Sequence, residues 1–349
     1  MPRIVSVATA LPPNRCEQAD ARDAMAQICS GDRVMERLLP VFDRTGVGTR
    51  YFVRPLDWYV QQRTFEARND MFASCGLELA ECAARACLKK SGVPTEEIDH
   101  LFFVTTTGLT TPSLDARLVA RLGLRPDVRR LPLFGLGCAG GAGALIRASD
   151  TLRAYSRQRA LVVSLELCSL VFSPVARTST DLIGAALFGD GAAAVLLEGA
   201  DATGCGPEVV NTRTYLFSDA SDLMGWRFTA EGMRLILSRD VPQFVATEVK
   251  PIIEQFLEDQ DLTLSDVTHH VLHPGGAKIM QMYQSAFGFE DNALYLARET
   301  MRRYGNQSSA SVLFMLDDLM ATGRPNRGDL GLVVALGPGF AAEMLTLAW

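Results

Sequence analysis

Residues 131–155 read LPLFGLGCAGGAGALIRASDTLRAY. A strand-like apolar run stops at Gly135, and Cys138 follows between glycines. Gly140, Gly141 and Gly143 come next, and an amphipathic helical pattern runs to the end of the stretch. Strand, tight turn, cysteine and glycine-rich helix start make a nucleophile-elbow arrangement. The helix N-terminus favours a thiolate, and the missing side chains let a carbonyl come close. The same residues also describe a tight corner filled by a small buried thiol. Both readings of Cys138 stand on this stretch alone.

The rest of the chain sets the frame for that corner. Its 349 residues suffice for one large domain or two fused ones. A hydrophobic content of 48% with 21% charged residues indicates a compact α/β protein. A net charge of −6 argues against a nucleic-acid partner, which needs a basic face. The longest apolar run, ALVVSLELCSLVF (160–172), is too short for a membrane span and carries Glu166. The start, MPRIVSVATALPP, reads as a first strand rather than a signal peptide, so a cytoplasmic location is expected. Eight cysteines contain no CxxC pair and the four histidines are not spaced beside them as ligands, so no metal is expected.

Periodicity predicts helices over 64–90, 114–122, 140–156, 232–257, 275–286, 294–303 and 308–321. Strands are expected at 3–9, 101–106, 131–135, 160–166, 191–197, 208–216, 269–272, 330–336 and 341–348. This alternation gives an α/β class with buried sheets. The turn-rich patch EGADATGCGPE (198–208) divides the chain into halves, 1–200 and 201–349. The halves look like copies. TEEIDHLFFVTTTG (95–108) matches LSDVTHHVLHPGG (264–276), and FGDGAAAVLL (188–197) matches LGPGFAAEML (336–345). Between those pairs, Cys138 opens a helix in one half and Asn306 opens one in the other. Three pairs in one order indicate duplication. A pseudo-twofold axis would bring Cys138, Asn306 and His273 together.

His273 stands at a strand end before turn residues, whereas His100, His269 and His270 sit at strand starts and read as structural. Asn306 is also a good helix cap.

Together GLGCAGG (135–141), ALFGDGAAAV (186–195), HPGG (273–276), GNQSSA (305–310) and GPG (337–339) resemble the thiolase-like condensing enzymes. Among these the chain is most similar to the type III polyketide synthases, the chalcone-synthase family. The resemblance implies a thiolase-like αβαβα layered fold built from two duplicated halves, and a homodimer. It implies decarboxylative condensation of malonyl-CoA onto an acyl-CoA starter, with no cofactor beyond the CoA thioesters. Cys138 would carry the acyl group, and His273 would pair with it as an imidazolium that lowers its pKa. His273 and Asn306 would donate to the enolate oxygen.

The resemblance also assigns Phe188 as a gatekeeper and Leu235, in EGMRLILSRDVP (231–242), as the smaller replacement of a second one. Thr106, Cys168, Val171 and Ser308 match cavity positions. Thr111 matches the residue that reaches across the dimer, and Trp226 replaces a glycine on the cavity wall. Arg37 and Arg44, in RLLPVFDRTG (37–46), align with phosphate-binding positions, although Pro40 takes the middle basic one. Gly276, Gly337, Pro338 and Gly339 align with the CoA path, and Glu166 reads as a buried structural carboxylate. The cavity pattern is similar to bacterial alkylpyrone and alkylresorcinol synthases. A medium- or long-chain acyl starter is therefore expected. The alternatives are a malonyl-primed tetrahydroxynaphthalene-type or aryl-primed synthase, a non-condensing thioesterase or acyltransferase, and a non-catalytic acyl-binding scaffold.

Overall fold

The computed structural model describes residues 1–171, 178–290 and 292–349. Phe172, the last residue of the long apolar run, lies outside them. Among the described residues thirteen strands are formed. In the first half they are β1 (Arg3–Ala10), β2 (Asn14–Glu17), β3 (Thr49–Phe52), β4 (His100–Thr105), β5 (Arg129–Phe134), β6 (Arg159–Leu167) and β7 (Asp190–Glu198). In the second they are β8 (Glu208–Leu216), β9 (Met224–Thr229), β10 (Gly232–Leu237), β11 (His269–Leu272), β12 (Leu330–Gly337) and β13 (Ala341–Ala348).

Nine of the strands form one sheet in the order β11-β12-β13-β8-β1-β7-β6-β4-β5. The order is mirrored about the contact between β8 and β1. On each side an antiparallel partner comes next (β13 or β7), then another antiparallel strand (β12 or β6), then a parallel one (β11 or β4). The two sides touch through one backbone pairing, Arg3 with Glu208, whose side chains also form an ion pair at 2.7 Å. Every residue of β4 and β7 is buried, which explains why those sequences run apolar without alternation.

Two helices run through the middle. Gly140–Ala154 and Ser311–Ala321 each pack on strands from both sides of the sheet and on each other. Their starts are almost in backbone contact. A Cβ placed on Gly141 would lie 2.1 Å from the carbonyl oxygen of Ser309, so only glycine fits there. Helix Phe65–Ser91 covers the outer face, burying Phe72, Leu79, Ala80 and Ala83. Thr64 caps its start by accepting from the Ala67 amide, and Gly92 ends it in a left-handed conformation. On the other side, helices Lys250–Glu258 and Ala277–Phe287 complete the αβαβα layering.

One expected helix is partly wrong. Residues 232–240 do not continue the helix of 241–258; Gly232–Leu237 is a strand paired with Met224–Thr229. Met233, Leu235 and Leu237 alternate along it, but beside the apolar positions downstream they also satisfy a helical period. Gly232, at φ +127°, makes the turn into the strand. Strands β2 and β3 and the helices Gln18–Ile28, Arg33–Leu38 and Ser179–Leu187 were not among the expected elements.

Candidate active site

Cys138 sits in a single turn, Gly137–Ala139, between β5 and the central helix. That turn is wedged from the second half of the chain. Gly137 adopts φ +48°, and a Cβ on it would meet the Pro338 ring at 2.5 Å. The GPG loop therefore acts as a backstop to the nucleophile turn. On the other side the Gly137 amide donates to Thr106 Oγ1 at 3.1 Å.

His273 continues from β11, held by its amide to the Val334 carbonyl at 2.8 Å. Asn306 lies ahead of its helix. It forms a parallel backbone bridge with Phe188, and the helix begins only after the turn Ser308–Ala310. Asn306 Oδ1 accepts from the Ser308 amide at 2.8 Å and from Ser311 Oγ at 3.5 Å. Because a backbone N–H can only donate, this contact fixes the carboxamide orientation and leaves Nδ2 as its remaining donor. Cys138, His273 and Asn306 line one cavity with Phe188, Leu235 and Tyr283.

The electrostatics differ from the expected ion pair. Burial pushes the Cys138 thiol up to about 12, partly offset by the hydroxyl of Ser308, 3.6 Å from Sγ. Burial also pushes His273 down to about 4, and neither of its buried ring nitrogens has a hydrogen-bond partner. The thiolate expectation weighed the helix start and an imidazolium, and omitted the desolvation that both groups share. Burial of both groups thus opposes the ion pair that the resemblance implies. Beneath the turn, Glu166 is fully buried and accepts from Ser309 Oγ (2.5 Å), Thr107 Oγ1 (2.9 Å) and the Thr106 amide (3.1 Å). Burial raises its carboxyl to about 7.

The other predicted positions separate into groups. Phe188 and Leu235 line the cavity, and Trp226 pairs with Leu235 across the hairpin while its ring lies 6.0 Å from that of Phe188. Ser308 touches Cys138, and its φ of +50° marks the bend that brings it there. Thr106 is buried under the nucleophile turn. Cys168 and Val171 are buried but do not line the cavity, and the Val171 carbonyl accepts from Arg68. Thr111 is exposed and outside the cavity within one chain. Arg37 and Arg44 are exposed and make no ion pair among the described residues. Gly276 precedes helix Ala277–Phe287 at φ +143°, while Gly337 and Gly339 shape the loop behind Cys138. Tyr283, also in the lining, lies outside every motif, and Phe340 follows the GPG loop without having been assigned a role. The one signal for Tyr283 is its position one helical turn beyond Ile279, which lines the same cavity.

Comparison with known proteins agrees with this architecture, that of the thiolase-like condensing enzymes. The model of the chalcone and stilbene synthase N-terminal domain matches residues 2–202, and that of the C-terminal domain matches 208–348. The chain belongs to the chalcone and stilbene synthase family: it is a type III polyketide synthase, a CoA-dependent condensing acyltransferase. It is 39% identical to the 1,3,6,8-tetrahydroxynaphthalene synthase of Streptomyces peucetius subsp. caesius, covering 99% of this chain and 93% of that protein. It is 27% identical to the 3,5-dihydroxyphenylacetyl-CoA synthase of Amycolatopsis balhimycina, again over 99% and 93%. Among solved structures, the 1,3,6,8-tetrahydroxynaphthalene synthase of Streptomyces coelicolor superposes with a TM-score of 0.95 at 27% identity, covering 99% of both chains. As a type III polyketide synthase, the present chain uses acyl-CoA and malonyl-CoA as substrates. Among the described residues no helix is long and apolar enough to cross a membrane.

Proposed function

We propose that Cys138 carries the growing chain and that His273 and Asn306 serve both loading and extension. His273 takes the Cys138 proton as Sγ attacks the starter thioester, and CoA leaves as the free thiol once reprotonated. Malonyl-CoA then loses carbon dioxide, and Asn306 Nδ2 with a His273 ring N–H donates to the enolate oxygen. The enolate carbon attacks the Cys138 thioester, so the C–S bond breaks and the lengthened chain is left on CoA. A neutral amide suits this task because a carboxylate would repel the enolate. Arg37 and Arg44, exposed and without ion-pair partners among the described residues, hold the CoA phosphates at the surface. With CoA thioesters as substrates, the cytoplasm is the place of work.

For the starter, we take a medium- or long-chain acyl-CoA, giving alkylpyrones and, after further extension, alkylresorcinols. The observation that carries this is the cavity wall: around the three polar residues it is built from Leu187, Met224, Leu235, Leu237, Val241 and Ile279. A second reading, malonyl priming towards a naphthalene, is favoured by the naming of the 39% identical relative. Mass spectrometry of products from acetyl-, aryl- and dodecanoyl-CoA, each with malonyl-CoA, and from malonyl-CoA alone separates the readings. Alkylpyrones as main products support the first; a pentaketide naphthalene from malonyl-CoA alone replaces it with the second.

The homodimer belongs to the same proposal. Strand β5 is an edge strand with Leu131 and Phe134 exposed, and Leu109 and Thr111 are also exposed. A second copy covering this face would bring Thr111 towards a neighbouring cavity. Light scattering of the purified protein tests it; a monomer at micromolar concentration would count against it.

A further inference from the structure

A second cavity, of about 90 Å³, lies beyond Phe188 and does not include Cys138, His273 or Asn306. Phe188 is the wall between the two, since it lines both. Ala21, Ala24, Met25 and Ile28 from helix Gln18–Ile28 form one side, and Leu182 and Ala185 from helix Ser179–Leu187 another.

In this wall sits Arg50, with no exposed surface. Its Nη1 donates to the carbonyls of Ala185 and Phe188, at 2.5 and 2.9 Å. Its Nε and Nη2 have no hydrogen-bond partner among the described residues. Phe52 and Phe42 flank the guanidinium, their ring centres 5.2 and 6.0 Å from its carbon. The other polar groups of the wall are engaged. Tyr59 and Ser169 share a 2.7 Å hydrogen bond, Ser169 donates to Asp190, and Asp181 Oδ2 accepts from Thr178. Asp190 itself accepts from Val53 and Ser169 and makes no hydrogen bond to Arg50.

A buried guanidinium with two silent donors is costly unless something occupies them. Nε and Nη2 form the edge that binds a planar carboxylate through two parallel hydrogen bonds. We propose that this cavity is a binding site for a free linear monocarboxylate, its carboxylate on Arg50 and its alkyl chain along Ala21, Ala24 and Met25. Nothing in this site requires the starter reading above. A carboxylate held there packs against Phe188 from behind, so it restricts the ring that borders the Cys138 cavity. Free fatty acids, released whenever an acyl thioester is hydrolysed, have the required chemistry.

The test is calorimetric titration of decanoate into enzyme whose Cys138 has been alkylated with iodoacetamide, so that the catalytic cavity is blocked. The expected result is one decanoate per chain, with decan-1-ol weaker by about tenfold or more for want of the charge-assisted pair. Ala24→Phe, which fills the cavity without touching Arg50, should abolish binding, as should Arg50→Met. Should Arg50→Met fail to fold, Ala24→Phe and decan-1-ol still decide. Equal affinity for decan-1-ol, unchanged affinity in Ala24→Phe, binding only before alkylation, or no binding at millimolar decanoate would each overturn the site. Failure of the starter reading would instead appear in the product profile and leave this titration unchanged.

Discussion

Asn306 and Phe188 are held together by their backbones: the Asn306 amide donates to the Leu187 carbonyl at 2.8 Å, and the Gly189 amide donates to the Asn306 carbonyl at 2.9 Å. The proposed enolate donor and the ring at the cavity wall therefore share one rigid ladder, although 118 positions separate them in sequence (306 − 188). Neither can be moved without the other. Substitutions that relocate the backbone at Phe188 should also disturb decarboxylation.

Asn306 has two duties that a single variant can separate. Asn306→Ala removes the Nδ2 donor and also the Oδ1 that accepts from the Ser308 amide, a local hydrogen bond worth about 1 kcal/mol of stability. Malonyl-CoA decarboxylation per folded molecule should fall on the order of 10²–10³. Acyl loading of Cys138, followed by intact-protein mass spectrometry, should fall far less. Equal loss of both steps would leave Asn306 only its role in shaping the turn before the helix.

The nucleophile's protonation gives a pH prediction with a definite sign. The Cys138 thiol is raised to about 12, so at neutral pH it is protonated and needs a proton acceptor. His273, lowered to about 4, is neutral and able to accept. Transfer to His273 must then accompany bond formation at Sγ rather than precede it, and by that route iodoacetamide should label Cys138 of the wild type near pH 7. In His273→Ala that acceptor is gone, so labelling should appear only well above the ordinary thiol value of about 8.5, because burial raises this thiol. If His273→Ala labels at pH 7 as fast as wild type, the imidazole is not the acceptor.

Chain-length selection should follow Leu235. It lines the Cys138 cavity, and Leu235→Phe would fill space there. Each methylene excluded from burial forfeits about 0.8 kcal/mol, roughly a fourfold loss in selectivity. The preferred acyl-CoA should shorten, as read from competing substrates in one reaction. An unchanged preference would place the chain elsewhere.

Arg37→Ala and Arg44→Ala should raise KM for acyl-CoA and malonyl-CoA alike and leave kcat near wild type. Phosphate contacts far from the reacting carbon bind ground and transition states equally. A fall in kcat with KM unchanged would remove both arginines from the CoA path.

Much of this was legible in the sequence because turn chemistry leaves marks. The glycines around Cys138, the PGG after His273 and the GPG loop stand where the backbone must bend or approach closely, and duplication placed them in matching order. The hairpin of β9 and β10 was harder, since alternation at Met233, Leu235 and Leu237 also fits a helix until its partner strand is seen. The protonation of Cys138 was not legible at all. It depends on how much water the fold excludes, which no local spacing reports. Arg50 was equally silent: a lone arginine in THR-to-TYR context, GTRYF, carries no sign that its side chain will be sealed inside.

The near-contact of Gly141 with the Ser309 carbonyl has a wider implication. Where two backbones already touch, no side chain can be enlarged and no new contour cut, so the centre of the molecule is closed to evolutionary tinkering. New product chemistries must be written at the periphery, on the hairpin 224–237 and the helix 277–287, whose side chains meet the cavity from outside that contact. Laboratory diversification that randomises those two segments and spares the core junction would explore the same territory.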